Sequence, residues 1–378
     1  MAKNINKQAF DEATKLKLEI FGESFEEWLP VFIYDKYTSL VYIFDFFAGS
    51  GMDADGYPGS PLILLDKAKG ENRKYCSKAQ KPIKFFFNEG QIRKSNELKN
   101  NVDAFIHKCE IENACSKCIY DYHILNYNFQ ELFNNSKLKK AFENKNIAKF
   151  VILDQYGFSQ INEEIFKQLI SFPKTDFIFF IASAFIKRFK EHPYTKQYID
   201  ASKINFDNIK PNEIHREIAK YFRSLIPKDK EYYLHHFSIK KGSNYYGLIF
   251  GTNHSLGMEK FLKVCWHHDK LSGEANYNID NNFEEGTLFA SLGENIKKDT
   301  VKNEIKSLIL SGKIKDNITG LKYALNKGCE PKLFTEVVQV LKDNNKISIE
   351  GKFNRQSTSI HKIKEPYQIK IITHGNQT

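Results

Sequence analysis

The chain has no apolar run long enough to cross a bilayer: the longest, Phe177 to Phe185, falls well short of the roughly 20 residues that a spanning helix needs. The opening Met1-Ala-Lys-Asn-Ile-Asn-Lys lacks the apolar centre of a signal peptide. Both absences predict a soluble, cytoplasmic protein with no membrane partner. Cysteine is scarce, with 6 in 378 residues, and in a reducing compartment these are expected as free thiols or metal ligands rather than a disulfide framework. Neither a Gly-x-Ser-x-Gly elbow nor a Walker lysine is present, so hydrolase-type nucleophilic catalysis and a P-loop have no support. No solenoid-period repeat and no long low-complexity tract interrupts the chain. Acidic residues are also the minority, 46 against 56 basic ones, which leaves a formal charge of +10. Charge of that sign favours polyanions through counterion release and long-range attraction, although the abundance of Lys, Asn and Ile gives part of it a purely compositional origin.

What is present reads as a folded protein of two or three domains, since 378 residues with 41% hydrophobic content can bury a sizeable core. Residues 11–29 place Leu16, Leu18, Ile20, Phe21, Phe25 and Trp28 at helical spacing. Val41–Phe47 follows as a nearly continuous β-prone run, the pattern of a strand buried on both faces of a parallel sheet. Ser60 is expected to cap a helix with Pro61 at its first position. Further strands are predicted at Ile83–Asn88, Tyr122–Phe129, Lys149–Leu153 and Asp176–Ala182, with helix-forming segments between them. That alternation predicts a doubly wound α/β sheet. Tyr232–Ile239 and Tyr245–Thr252 have no room for a helix between them, so they are expected as an antiparallel hairpin at the sheet edge.

Five parallel strands closed by a reversed hairpin resemble the class I methyltransferase sheet. The expected domains are therefore 1–275, a methyltransferase-like Rossmann domain, and 282–378, a winged-helix-like module built from Thr300–Ser311, Ile318–Asn326, Glu330–Asp343 and the strand Lys346–Glu350.

The chemistry-bearing residues gather at predicted strand ends. Asp45-Phe46-Phe47-Ala48-Gly49-Ser50-Gly51 puts a carboxylate at the end of the first strand and two glycines in the turn after it, where backbone N–H groups can approach a ligand. Asp-x-Phe-x-Gly-x-Gly resembles the S-adenosylmethionine motif of the amino-group DNA methyltransferases, which makes Asp45, Phe47, Gly49, Ser50 and Gly51 candidate cofactor contacts. Glu89 closes the second strand, where a carboxylate can accept both ribose hydroxyls. Asn128, at the predicted end of the third strand, is a candidate for the adenine edge or simply a loop asparagine. Asp154-Gln155-Tyr156-Gly157-Phe158 ends the fourth strand, and Asp154 with Tyr156 could hold an acceptor amine and its ring. This segment resembles Asp-Pro-Pro-Tyr, with Gln155 where proline is usual, a departure that leaves room for a non-catalytic subunit.

Together with Lys15-Leu16-Lys17-Leu18-Glu19-Ile20, Trp28, Gly59-Ser60-Pro61-Leu62, Phe87-Asn88-Glu89, and Leu248-Ile249-Phe250-Gly251-Thr252-Asn253-His254 running on to Trp266, these pieces resemble the three-Cys-motif partner proteins, TcmP, over nearly the whole chain. The resemblance implies a methyltransferase-like core, a winged-helix-like end, and a partner with a three-cysteine motif that looks like a radical S-adenosylmethionine protein.

Two further groups carry expectations. Cys109, Cys115, Cys118 and His123 could complete a tetrahedral zinc site, or the cysteines could be core filler. Lys187, Arg188 and Lys190 follow the fifth strand, with Tyr194 and Tyr198 beyond, as cations and aromatics that could grip a nucleic acid or simply face solvent.

Overall fold

The computed structural model describes residues 8–78, 81–113, 120–155, 160–182, 204, 206, 209–279 and 296–372. Helix α1, Glu12–Tyr34, starts where the Asp11 carboxylate accepts the Thr14 amide at 2.9 Å. Its buried face, Leu18, Phe21, Phe25, Trp28 and Leu29, follows the predicted helical spacing.

The central sheet contains β1 (Leu40–Asp45), β2 (Ile83–Asn88), β3 (Asp121–Leu125), β4 (Ile147–Leu153), β5 (Thr175–Ile181), β6 (Tyr233–Lys241) and β7 (Asn244–Thr252). Its order is β3-β2-β1-β4-β5-β7-β6. The first five strands pair in parallel, and β7 runs antiparallel to β5 with Phe177 opposite Gly251. That register needs the glycine, because a Cβ on Gly251 would meet the Phe177 ring at 2.3 Å. All seven residues of β4 are buried, as expected of a strand covered on both faces. The rings of Phe25 and Trp28 stand 5.5 and 5.2 Å from that of Phe150 in this strand.

Two buried charged side chains of the sheet are paired. Trp28 Nε1 donates to Asp176 Oδ2 at 2.8 Å, and burial raises the Asp176 carboxyl to about 6 against the opposing hydrogen bonds from Thr252 and Trp28. Lys149 is fully buried in β4, where its ammonium donates to the Phe142 and Asn144 carbonyls at 2.8 and 3.0 Å. Those carbonyls end the helix Ser136–Glu143, a favourable place for a cation, although burial pulls the Lys149 amine down to about 7.

Two local expectations are corrected. The third strand stops at Leu125, not Phe129, because Asn128 accepts the Gln130 amide at 2.9 Å and caps the short helix Phe129–Phe133. Ser60 is the first residue of α2 (Ser60–Ala68) rather than its cap, which is Gly59; the serine hydroxyl is used elsewhere. Helix α3, Ile92–Glu112, follows β2.

The chain divides into two compact units, one of 1–232 with 238–253, the other of 233–237 with 254–378. The expected boundary at 275–282 lies inside the second unit. There, α4 (Ser255–His268) is followed by a turn in which the Asp269 carboxylate accepts the amides of Leu271, Ser272, Glu274 and Ala275. Lys297 then donates to Ser272 O at 2.7 Å and Glu274 Oε1 at 2.6 Å, while Trp266 Nε1 donates to Gly328 O. Residues 255–275 are thereby tied to α5 (Ile296–Leu310) and to the end of α6 (Asn317–Asn326). Helix α7 (Lys332–Asp343) and the antiparallel pair β8 (Ile347–Glu350) and β9 (Gln368–Ile371) complete the unit. Among the described residues, no helix is long and apolar enough to cross a membrane.

Candidate functional site

The residues predicted at strand ends meet at the carboxyl edge of the parallel sheet. In the turn after β1, Gly49 and Gly51 have φ of +63° and +86°, a backbone that L side chains rarely adopt. A Cβ on Gly51 would also come within 3.0 Å of Leu98 Cδ1. The turn is held by Asn101 Nδ2 donating to Ser50 O at 2.7 Å and by the Gly59 amide donating to Gly51 O at 2.8 Å. Ser50 itself turns inward and donates its hydroxyl to Met52 O. Phe47 is half-buried, its ring 5.0 Å from that of Phe129.

Asp45 is only 1% exposed. Its carboxylate accepts the Ser60 hydroxyl at 2.6 Å and the Phe47 amide at 3.1 Å. Burial lifts this carboxyl to about 7; the two hydrogen bonds pull it down, and nearby Asp154 and Lys17 push in opposite directions. Asp45 therefore joins the end of β1 to the start of α2 while keeping a negative charge within the site above neutral pH. At β2, Asn88 is buried and clamps the neighbouring loop, donating to Phe46 O and Tyr127 O while accepting the Tyr127 amide. Glu89, half-buried, comes next; its Oε1 accepts the Gln91 amide at 2.8 Å.

At the end of β4, Asp154 Oδ2 accepts Lys17 Nζ at 2.5 Å, and the lysine also sits 4.8 Å over the Phe180 ring. Gln155 is 1% exposed, donating to Phe180 O at 3.2 Å and accepting the Gln160 amide at 2.8 Å. These bonds restrain Gln155 by side-chain hydrogen bonds where proline would do it by its ring. Asp45 and Asp154 thus close adjacent strands, because β1 pairs β4 with Asp45 opposite Ile152.

Not every predicted residue joins this group. Asn128 is exposed and serves as a helix cap. Tyr156, Lys187, Arg188 and Lys190 lie outside the described residues, as do Cys115 and Cys118. Of the other two proposed zinc ligands, Cys109 accepts the Asn113 amide group at 3.6 Å, and His123 stacks on Phe86 at 5.0 Å. Among the described residues, no three His, Cys, Asp or Glu side chains are placed to hold a metal. A cleft of about 250 Å³ between α1, α2 and α3 is lined by Glu19, Tyr57, Leu62 and Phe105 among others, and by none of the strand-end residues.

Lys17, Ser60, Asn88 and Asp53 also shape this edge, each through a bond to a residue distant in the chain. Asp53 accepts the amides of Phe10, Asp55 and Tyr57, and so ties the chain just before α1 to the loop after the glycine turn. Burial notwithstanding, these amides hold the Asp53 carboxyl below its usual range. The signal for Lys17 was available: it stands four residues before Phe21 and eight before Phe25, a cation on the apolar stripe of a helix.

The strand order with its antiparallel seventh strand and the glycine turn after β1 define a class I methyltransferase-like fold. No family model and no curated protein matches the chain. Among solved structures, it is similar to a putative methyltransferase, yhhF, from Escherichia coli, at 14% identity and TM-score 0.30, covering 65% of this chain and 90% of that one. Trm1 from Pyrococcus horikoshii with S-adenosyl-L-methionine is 10% identical at TM-score 0.32, covering 67% and 59%. An O-methyltransferase from Bacillus cereus in complex with SAH is 11% identical at TM-score 0.32, covering 64% and 90%. At such scores these likenesses add nothing to the strand order, which carries the fold assignment.

Proposed function

We propose that this protein is an S-adenosylmethionine-dependent methyltransferase acting on nucleic acid, within the TcmP family that its sequence resembles. The observation that carries the reading is the convergence of the positive-φ glycine turn, Asp45, Glu89 and Asp154 on the carboxyl ends of three adjacent strands. The donor set fits the cofactor: open glycine backbone and a buried carboxylate suit an amino-acid end, and a half-buried carboxylate one strand away suits a ribose. The turn at Gly49–Gly51 with Asp45 would hold the methionine part and Glu89 the ribose hydroxyls. S-adenosylmethionine would supply an electrophilic methyl group. The chain's own contribution would be positioning, with Asp154 accepting a hydrogen bond from the acceptor and Tyr156 flanking its ring.

A nucleic-acid target is supported by the net charge of +10 and by the cations Lys187, Arg188 and Lys190 after β5. Helices α5, α6 and α7 with the β8–β9 ribbon have the make-up of a winged helix, a common reader of nucleic acid. A second reading, a non-catalytic subunit that docks a three-Cys-motif partner or nucleic acid, is favoured by Asp154 already being engaged by Lys17.

Titration calorimetry with S-adenosylmethionine tests the cofactor claim. Binding by the wild type, weakened about tenfold or more in Glu89→Ala and in Glu89→Gln, is the expected result. Glu89→Gln separates ribose recognition from the local role, since an amide oxygen can still accept the Gln91 N–H. No binding by the wild type, or full binding by both variants, would refute the claim. Transfer of labelled methyl from cofactor to DNA or RNA decides between the two readings.

A further inference from the structure

Lys17 stands out because packing alone does not call for a cation there. Its side chain is 13% exposed, with Nζ held between Asp154 Oδ2 at 2.5 Å and the face of Phe180 at 4.8 Å. A methionine could cover the same ring without desolvating a charge, and a largely buried ion pair adds little net stability over an apolar isostere. Its location offers another role. Asp45 and Asp154 end neighbouring strands, close enough for Asp154 and Lys17 to act on Asp45 with opposite signs, on top of the larger effect of its burial. Among the described residues, Lys17 bound to Asp154 leaves the neighbouring pair Asp45 and Asp154 with one carboxylate lacking a bonded cation rather than two, beside Glu89 on the next strand.

We propose that Lys17 is a positioning residue that sets the charge of the strand-end pocket: by holding Asp154 it cancels one of two adjacent carboxylates, and so limits how strongly the pocket prefers a cationic ligand over its neutral counterpart. The inference rests on the cofactor reading above. S-adenosylmethionine carries a sulfonium charge, and S-adenosylhomocysteine is the same molecule without that methyl group and that charge. The ratio of their affinities therefore reads the local potential, while damage to packing weakens both ligands alike.

The experiment is calorimetric titration of the full chain with each ligand in turn, for wild type, Lys17→Met, Lys17→Arg and Asp154→Asn. Lys17→Met should raise the preference for the sulfonium ligand by about three- to tenfold, as expected for removing one charge several ångströms away at an intermediate effective dielectric. Lys17→Arg should restore the wild-type ratio. Asp154→Asn leaves the lysine without its counter-ion and should shift the ratio the other way, which keeps the inference testable if Lys17→Met does not fold. An unchanged ratio in Lys17→Met and Asp154→Asn, with both ligands bound by the wild type, overturns this inference alone. A wild type that binds neither ligand overturns the cofactor reading and this inference with it.

Discussion

Asp45, Asn88, Lys149, Gln155 and Asp176 are buried polar or charged side chains held by specific hydrogen bonds. Asp176 is the clearest case: it lies in the core with Trp28 Nε1 at 2.8 Å, and burial raises it to about 6. A carboxylate whose folded value is raised above its unfolded one costs stability when ionised, so the penalty grows as pH rises from about 4 to 6 and is fully present above that. Trp28→Phe removes one donor to that charge. We expect a loss of about 1–3 kcal/mol at about pH 8, and a smaller one at about pH 5, where Asp176 carries its own proton. Urea unfolding at the two pH values measures this, and an equal loss at both would mean that only indole packing was removed. Trp28 was legible in the sequence as an apolar residue on the helix stripe; its hydrogen bond was not, because Asp176 lies 148 positions away. Gln155 shows the same limit. It read as a departure from a proline-containing motif, and only the fold shows its amide bridging Phe180 and Gln160.

Among elements, the turn after β1 concentrates the strongest local requirement. Gly51 combines φ of +86° with a Cβ approach of 3.0 Å to Leu98. Gly51→Ala should cost about 1–2 kcal/mol for the left-handed backbone alone. If the turn holds S-adenosylmethionine as proposed, the same change should also weaken that ligand more than it weakens folding, since relaxation of the turn would move the amides assigned to it. Thermal unfolding and calorimetry on the same preparation check this; full affinity with lowered stability would reduce the turn to a structural one. Element types and most strand positions were legible because a short, continuous β-prone run such as Ile147–Leu153 differs plainly from a stripe of period 3.6 such as that of Glu12–Tyr34. Ends were less so. Asn128 and Ser60 are both residue types that cap helices, yet one caps and the other binds Asp45, a choice made by what lies beside each in space.

On the scale of the whole molecule, the excess of 10 positive charges predicts salt-sensitive binding to a polyanion. If Lys187, Arg188 and Lys190 face phosphates, changing all three to Ala should make log K against log salt shallower by about 2–3, at roughly 0.9 per phosphate contact on a duplex. An unchanged slope in a filter-binding series would return the charge to composition. The amino-acid order alone settles the α/β class, the reversed hairpin and the glycine turn, because each depends on periodicity or on residues adjacent in the chain. Which side chains converge is another matter. The pairing of Lys17 with Asp154, the clamp of Asn88 on Tyr127 and the grouping of residues 254–279 with the second unit join distant parts of the chain. Only tertiary structure decides these, since a charge, an amide or an indole in sequence shows what it can bond to, while packing selects the partner.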